Sequence, residues 1–280
     1  APPDAFSADG QNWGFPTYNW EKMAEDDFAW WKARLAKMSE YFDAFRIDHI
    51  LGFFRIWEIP LWTKSGLNGY FNPALPYPAH ELQNQGFDVN EFDLCLQVPR
   101  QDGHYHPKIG AKQTQAYFLL DAYRRAAFDR LYDDFFYRRN NEFWKDKAMQ
   151  KLPALLDSTG MLACGEDLGM IPATVPQVMD DLRILSLEIQ RMPKSVEETF
   201  AHPANYPYLS VCTTSTHDMN PIRAWWEEDR QVTNDFWQMI LGNQGEAPYF
   251  CEPWICRQIL EQHVWSPAML TILPLQDWLS

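Results

Sequence analysis

Apolar residues recur along this chain with two periods, and the period changes from one segment to the next. Across residues 20–42 the positions Phe28, Trp31, Leu35, Met38 and Phe42 fall at alternating steps of three and four. That spacing predicts one amphipathic helix, with Asn19 as its N-cap after a turn-rich loop over residues 1–19. A short apolar run over 44–47 then predicts a strand that ends at Asp48. Further strands are expected over 161–165, 183–190, 208–214 and 268–275. Helices are expected over 142–156, from Pro172 to about 182, and over 221–228, 233–241 and 253–265, with Gly160 as a stop after the first of these.

The segment 63–140 breaks this alternation. It opens with the turn-rich string GLNGYFNPALPYP and passes through the polar string QVPRQDGHYHPK. It then predicts one long helix with Tyr117, Leu120, Tyr123, Ala127, Leu131 and Phe135 on a single side. We read 63–140 as a largely helical insertion in an α/β protein. About five parallel strands do not close a barrel of eight, which takes about 250 residues before insertions. The expected fold is therefore the C-terminal part of a (β/α)8 barrel, with the missing strands mostly N-terminal to this sequence.

Three of the apolar runs end in a carboxylate within a polar frame: FRIDH at Asp48, LACGEDLG at Glu166 and VCTTSTHD at Asp218. As parallel strands of one sheet they would present all three acids at its C-terminal edge, where such folds place their chemistry. Two acids and a third anion suit retaining glycoside chemistry: a nucleophile, a proton donor, and a group that binds sugar hydroxyls as the transition state forms. Arg46 lies two residues before Asp48 on the same strand face and can hold it charged; a merely structural Arg–Asp pair is the plain alternative. Asp167 rivals Glu166, but neighbours on a strand point to opposite faces, so one of them alone can face the site. His49 and His217, beside Asp48 and Asp218, could donate to the same sugar. They could also form a His/Asp metal centre, which the repulsion between Arg46 and a cation opposes.

Composition narrows the partners. The chain has 280 residues, 46% of them hydrophobic, and a formal net charge of -14. It can bury a core, and its charge argues against nucleic acid, which needs clustered Lys and Arg. No apolar run is long enough to span a bilayer and no leader peptide is legible, so a soluble, cytoplasmic protein with no membrane partner is expected. The five cysteines are scattered without a C-x-x-C pair, which fits reduced packing residues; a metal site of Cys251, Cys256 and His263 matches no structural zinc spacing. Aromatic residues make up 15% of the chain, many of them in Pro- and Gly-punctuated strings such as GQNWGFPTYNW. Exposed rings of that kind bind the C–H faces of sugars.

Five strings in order, PPDAFSADGQNWGFPTYNW, FRIDHILGFFRIWEIP, ACGEDLGMIPATV, TTSTHDMNPIRAWWEED and ILPLQDWL, resemble the 4-α-glucanotransferases of glycoside hydrolase family 77. The long segment between Asp48 and Glu166, with GFFRIWEIP and EIQRMP, is more similar to the plant cytosolic disproportionating enzymes and their bacterial relatives. The resemblance implies Asp48 as nucleophile, Glu166 as general acid/base and Asp218 as transition-state stabiliser. It also implies substrate contacts at Arg46, His49, His217, Asp4, Phe6 and Trp13. The implied substrates are maltose, maltooligosaccharides or larger glucans, with no cofactor and no metal. A retaining α-glucan hydrolase, or a glucan-binding protein on a decayed barrel, would share much of this sequence.

Overall fold

Strands β1 (Ala44–Ile47), β2 (Leu162–Gly165), β3 (Ser186–Ile189), β4 (Ser210–Thr213) and β5 (Leu270–Thr271) lie side by side in chain order, all parallel. The computed structural model describes residues 1–3, 7–89, 93–99, 101–195 and 197–279. Between β2 and β3 the ladder is carried by a bridge from Cys164 to Leu185, with Gly165 N–H donating to Leu185 O at 2.8 Å and Leu185 N–H to Ala163 O at 2.9 Å. All four residues of β4 are buried, as expected of a parallel strand covered on both faces.

The chain divides into two compact units. One holds the strands: Ala44–Asp48, Leu162–Leu168 and Met179–Ser280. Its helices Ile222–Glu228, Arg230–Met239 and Pro253–Val264 pack Ile222, Trp226, Phe236, Ile255 and Ile259 into one apolar cluster. The middle helix begins three residues before its expected start because Asp229 is the cap, accepting from Gln231 N at 2.8 Å and Val232 N at 3.2 Å. Pro253 stands at the first helical position, where its missing N–H costs nothing.

The other unit comprises Ala1–Asp43, His49–Met161 and Gly169–Val178. Its aromatic core includes Trp57, Phe71, Tyr77, Phe128, Phe135 and Trp144. Several expectations fail here. The helix expected over 20–42 is two, Trp20–Ala24 and Ala29–Met38, separated by left-handed Asp27 (φ 55°) and Phe28 (φ 57°). The reversal lets Trp20 stack on Trp31 at 6.3 Å and meet Phe53 at 5.0 Å, which one straight helix would forbid. Asn19 does cap the first helix, accepting from Lys22 N at 3.0 Å.

The long helix expected from Tyr117 to Phe135 is likewise interrupted. Gln115–Phe118 ends, and Ala122–Asp134 starts afresh under an Asp121 cap that accepts from Arg124 N at 2.9 Å. The helix expected over 142–156 breaks into Asn141–Met149 and Leu152–Leu156, where Pro153 has no N–H to continue the ladder. Pro172 precedes its helix instead of opening it: the helix is Val175–Asp181, and Pro172 O accepts from Val175 N in the turn before. Antiparallel strands not anticipated occur in the segment 63–140 and just before it. Ile56–Glu58 pairs with Tyr70–Asn72, and His104–Pro107 lies between Tyr77–Pro78 and Cys95–Gln97. Runs of two to four residues are too short to show a period.

Candidate active site

Asp48 is the first residue beyond β1 and Glu166 the first beyond β2. Because Ile47 pairs with Gly165 in parallel register, the two acids leave adjacent strands at the same level. Glu166 N–H continues the ladder, donating to Ile47 O at 2.9 Å. Strand period puts Arg46 on the face from which Asp48 projects, and its Nη2 donates to Asp48 Oδ1 at 2.6 Å. Asp48 remains 77% exposed, so its second oxygen is open to solvent.

Glu166 is half-buried, and its Oε1 accepts from Leu168 N at 2.9 Å. Asp167 turns the other way and is 2% exposed. Its Oδ1 accepts from Leu187 N at 3.0 Å and its Oδ2 from Lys194 Nζ at 2.7 Å; the same ammonium reaches Glu188 at 2.6 Å. Asp167 is thus committed to a buried ionic cluster on the side of the strand away from Glu166.

Asp218 sits in the loop that follows β4. Its N–H donates to Thr216 Oγ1 at 3.3 Å, and His217 Nε2 lies 3.2 Å from its Oδ2, both side chains being largely exposed. Both ends of this loop are held by residues to which sequence reasoning assigned no role. Arg191 donates to Thr214 O at 2.8 and 3.2 Å and to Asn220 O at 2.8 Å, with its guanidinium over the Trp225 ring at 4.9 Å. Burial lowers its pKa to about 10, so it stays charged at neutral pH. Asp277 accepts from Thr214 Oγ1 at 2.5 Å and from Ile222 N at 2.8 Å. Both residues lie inside strings that stood out in the sequence, EIQRMP and ILPLQDWL, but their partners are tens of residues away and no local spacing announces them.

His49 and Trp13 belong to the other unit. His49 is left-handed (φ 53°), an uncommon conformation for a side-chain-bearing residue, immediately after Asp48. Its ring meets Trp13 edge-on at 5.3 Å, and Trp13 Nε1 donates to Gln11 Oε1 at 2.8 Å. Burial, helped by the positive charges of Arg55 and the N-terminus, pushes the His49 pKa down to about 3, so its imidazole is neutral. Asp4 and Phe6 lie outside the described residues. Among the described residues no three His, Cys, Asp or Glu side chains gather as metal ligands. Cys251 and Cys256 instead meet each other, sulfur to sulfur, at 3.4 Å, and His263 Nδ1 lies 2.8 Å from Ile259 O. No helix among the described residues is long and apolar enough to cross a membrane.

Comparison with known proteins bears on this arrangement. The family described as 4-alpha-glucanotransferase, glycoside hydrolase family 77, matches residues 1–280. The chain is 36% identical over 357 aligned residues to the 4-alpha-glucanotransferase DPE2 of Oryza sativa subsp. japonica, covering 100% of this chain and 38% of that one. It is 44% identical over 279 residues to the 4-alpha-glucanotransferase of Aquifex aeolicus, covering 100% of this chain and 42% of that one. Among solved structures, an amylomaltase from Streptococcus agalactiae in complex with acarbose superposes with a TM-score of 0.60 at 19% identity, over 99% of this chain and 41% of that one. The chain spans about two fifths of the length of these relatives. It belongs to the 4-alpha-glucanotransferase family, glycoside hydrolase family 77.

Proposed function

We propose that this chain supplies the catalytic acids of a retaining 4-α-glucanotransferase, with Asp48 as nucleophile, Glu166 as acid/base and Asp218 as stabiliser of the transition state. The observation that carries the reading is the register of β1 on β2, one residue beyond which stand Asp48 and Glu166. Neighbouring strands run about 4.8 Å apart. A double displacement needs its two carboxyl groups roughly 5–5.5 Å apart, a separation within reach of acids that leave neighbouring strands at one level.

Arg46 occupies Asp48 Oδ1, so Oδ2 attacks the anomeric carbon. Glu166 gives its proton to the departing glycosidic oxygen, and a covalent glucosyl-enzyme forms. A 4-hydroxyl of an acceptor sugar then attacks the same carbon, Glu166 takes back the proton, and Asp48 leaves. Asp218 accepts hydrogen bonds from the hydroxyls beside the reacting carbon, contacts that strengthen as the ring flattens. His217 and His49 serve as sugar contacts in this reading, and so do Trp13, Asp4 and Phe6, as the family resemblance implies. Transfer exceeds hydrolysis where an acceptor sugar is held in line and water is not.

The donors in this reading are maltose and α-1,4-glucans and the acceptors larger glucans; residues 63–140 are an insertion in a (β/α)8 barrel to which β1–β5 contribute. The full-length protein incubated with maltose tests it. Glucose together with longer oligosaccharides is the expected product pattern. Glucose alone would mean a hydrolase, and no turnover by a folded protein would mean a glucan-binding module.

A further inference from the structure

Among the described residues no acid balances the charge of Arg55. It is 2% exposed, and its guanidinium lies over the rings of Phe71 at 4.7 Å and Trp144 at 5.4 Å. Nη2 donates to the Met170 carbonyl, whereas Nε is buried with no hydrogen-bond partner. Among the described residues no carboxylate forms an ion pair with it. Burial alone lowers its pKa, to about 9, where a nearby acid would raise it, so the group remains a cation at neutral pH. A buried, uncompensated charge is costly. None of the chemistry proposed for Asp48, Glu166 and Asp218 uses it.

The same side chain lines a cavity of about 230 Å³, together with Phe71, Phe136, Tyr137, Asn141 and Trp144, and the stretch 170–173 completes the wall. Asn141 presents a second orphan there. Its amide nitrogen donates to Tyr137 O at 2.9 Å, but its Oδ1 is buried with no partner. Phe136 and Tyr137 belong to a π-helical turn, Phe135–Arg139, an irregularity that recurs at functional sites. Arg55 and Asn141, each carrying a buried polar atom without a partner among the described residues, thus both line one aromatic cavity, which is several times larger than the roughly 30 Å³ occupied by a water molecule.

We propose that this cavity is a binding site for a small organic hydroxycarboxylate, with the carboxylate on Arg55, the hydroxyl donating to Asn141 Oδ1, and the hydrocarbon part against Phe136 and Trp144. Charge selects a monoanion: a neutral sugar would leave Arg55 unbalanced, and a phosphate dianion would leave a surplus negative charge among aromatic rings with no second cation on the wall. The apolar walls favour a carboxylate with a carbon body over a halide. The site is separate from the glucan reading and does not depend on it.

The test is calorimetric titration and thermal unfolding of the full-length protein with sodium lactate and sodium mandelate, against sodium propionate, lactamide and sodium chloride at equal ionic strength. At least one hydroxycarboxylate should bind saturably and raise Tm. Propionate should bind at least about threefold more weakly than lactate, for want of the hydroxyl, while lactamide and chloride should not saturate. Arg55→Gln should weaken binding at least tenfold. Ala173→Leu, at an exposed residue that lines the cavity, should block binding while leaving Tm and maltose turnover unchanged; it decides the matter if Arg55→Gln does not fold. The proposal is overturned if both hydroxycarboxylates behave as chloride does, as they would in a cavity that only holds ordered water. Lactamide binding as well as lactate, or hydroxycarboxylate binding that survives Ala173→Leu, would overturn it equally.

Discussion

Asp48 shows how one side chain can be poised by its neighbour two residues away. Arg46 holds one carboxylate oxygen at 2.6 Å and leaves the other in solvent, the arrangement a nucleophile needs. Asp48→Asn preserves the shape and the Arg46 contact but removes the attacking charge. We expect turnover of the full-length protein to fall by roughly three orders of magnitude or more while maltooligosaccharide affinity changes little; equal losses of both in a folded variant would sink the assignment. His106 behaves differently, because what governs it is burial. Its ring stacks on Phe135 at 5.2 Å, its Nδ1 lies 3.0 Å from Pro107 O, and its Nε2 has no partner. Burial lowers its pKa to about 4, against the raising effect of the Pro107 carbonyl. The unfolded chain, with a histidine pKa of about 6.5, takes up a proton between pH 6.5 and 4 that the folded chain refuses. Folding stability is therefore intact above pH 6.5 and falls as pH drops through that window, by about 2 kcal/mol at pH 5 for this group alone. Denaturant unfolding at pH 7 and pH 5 should show His106→Leu losing less stability on acidification than the parent by about that amount. An identical loss in both would refute it.

At the scale of elements, the loop after β4 is the feature that tertiary contacts create. Its ends are tied by Arg191 to Thr214 O and Asn220 O, and by Asp277 to Thr214 Oγ1 and Ile222 N. Within the exposed stretch between them Asp218 meets local partners, Thr216 and His217, so the ties at the two ends are what anchor it to the rest of the fold. Asp277→Ala removes both acceptors and leaves the Thr214 hydroxyl and the Ile222 N–H unsatisfied. It should lower kcat by about 10- to 100-fold, the size of effect a displacement of about 1 Å produces, with a smaller change in KM. Asp277→Asn, which keeps one acceptor, should restore part of the loss. A change confined to thermal stability, with kcat preserved, would show that the clamp serves packing alone. The strands feeding this loop and the two acids were legible in the sequence because a parallel strand buried on both faces is a local apolar run. The interruption at Asp27 and Phe28 was not, since the heptad-like spacing continues through it and only the packing of Trp20 and Trp31 around Phe53 rewards the reversal.

At the scale of the whole molecule, the described residues pair β1 with β2 alone and β5 with β4 alone, so each outer strand offers an unpaired edge. Next to β5, Ile272 is 59% exposed, and so is Phe42 just before β1. Unpaired edges flanked by apolar side chains template association. Residues 1–280 expressed alone should therefore self-associate in light scattering and show no disproportionation of maltooligosaccharides. A monodisperse, cooperatively unfolding and active 1–280 would contradict both that expectation and the proposal that these strands are part of a larger barrel.

The amino-acid sequence by itself determined where the five parallel strands and their terminal acids fall, which residues cap or open helices such as Asn19 and Pro253, and the family. Each of these is written in short-range pattern: apolar runs, a polar residue before a helix, strings in a set order. Tertiary structure alone decided which groups hold Asp167, namely Lys194 and the Leu187 N–H. It alone decided that Arg191 and Asp277 hold the Asp218 loop, and that Arg55 lines a cavity with no acid paired to it among the described residues. Those outcomes depend on partners brought together from distant parts of the chain, and the free energy of a buried charge or hydrogen bond is set by those partners and by the exclusion of water, neither of which local spacing encodes.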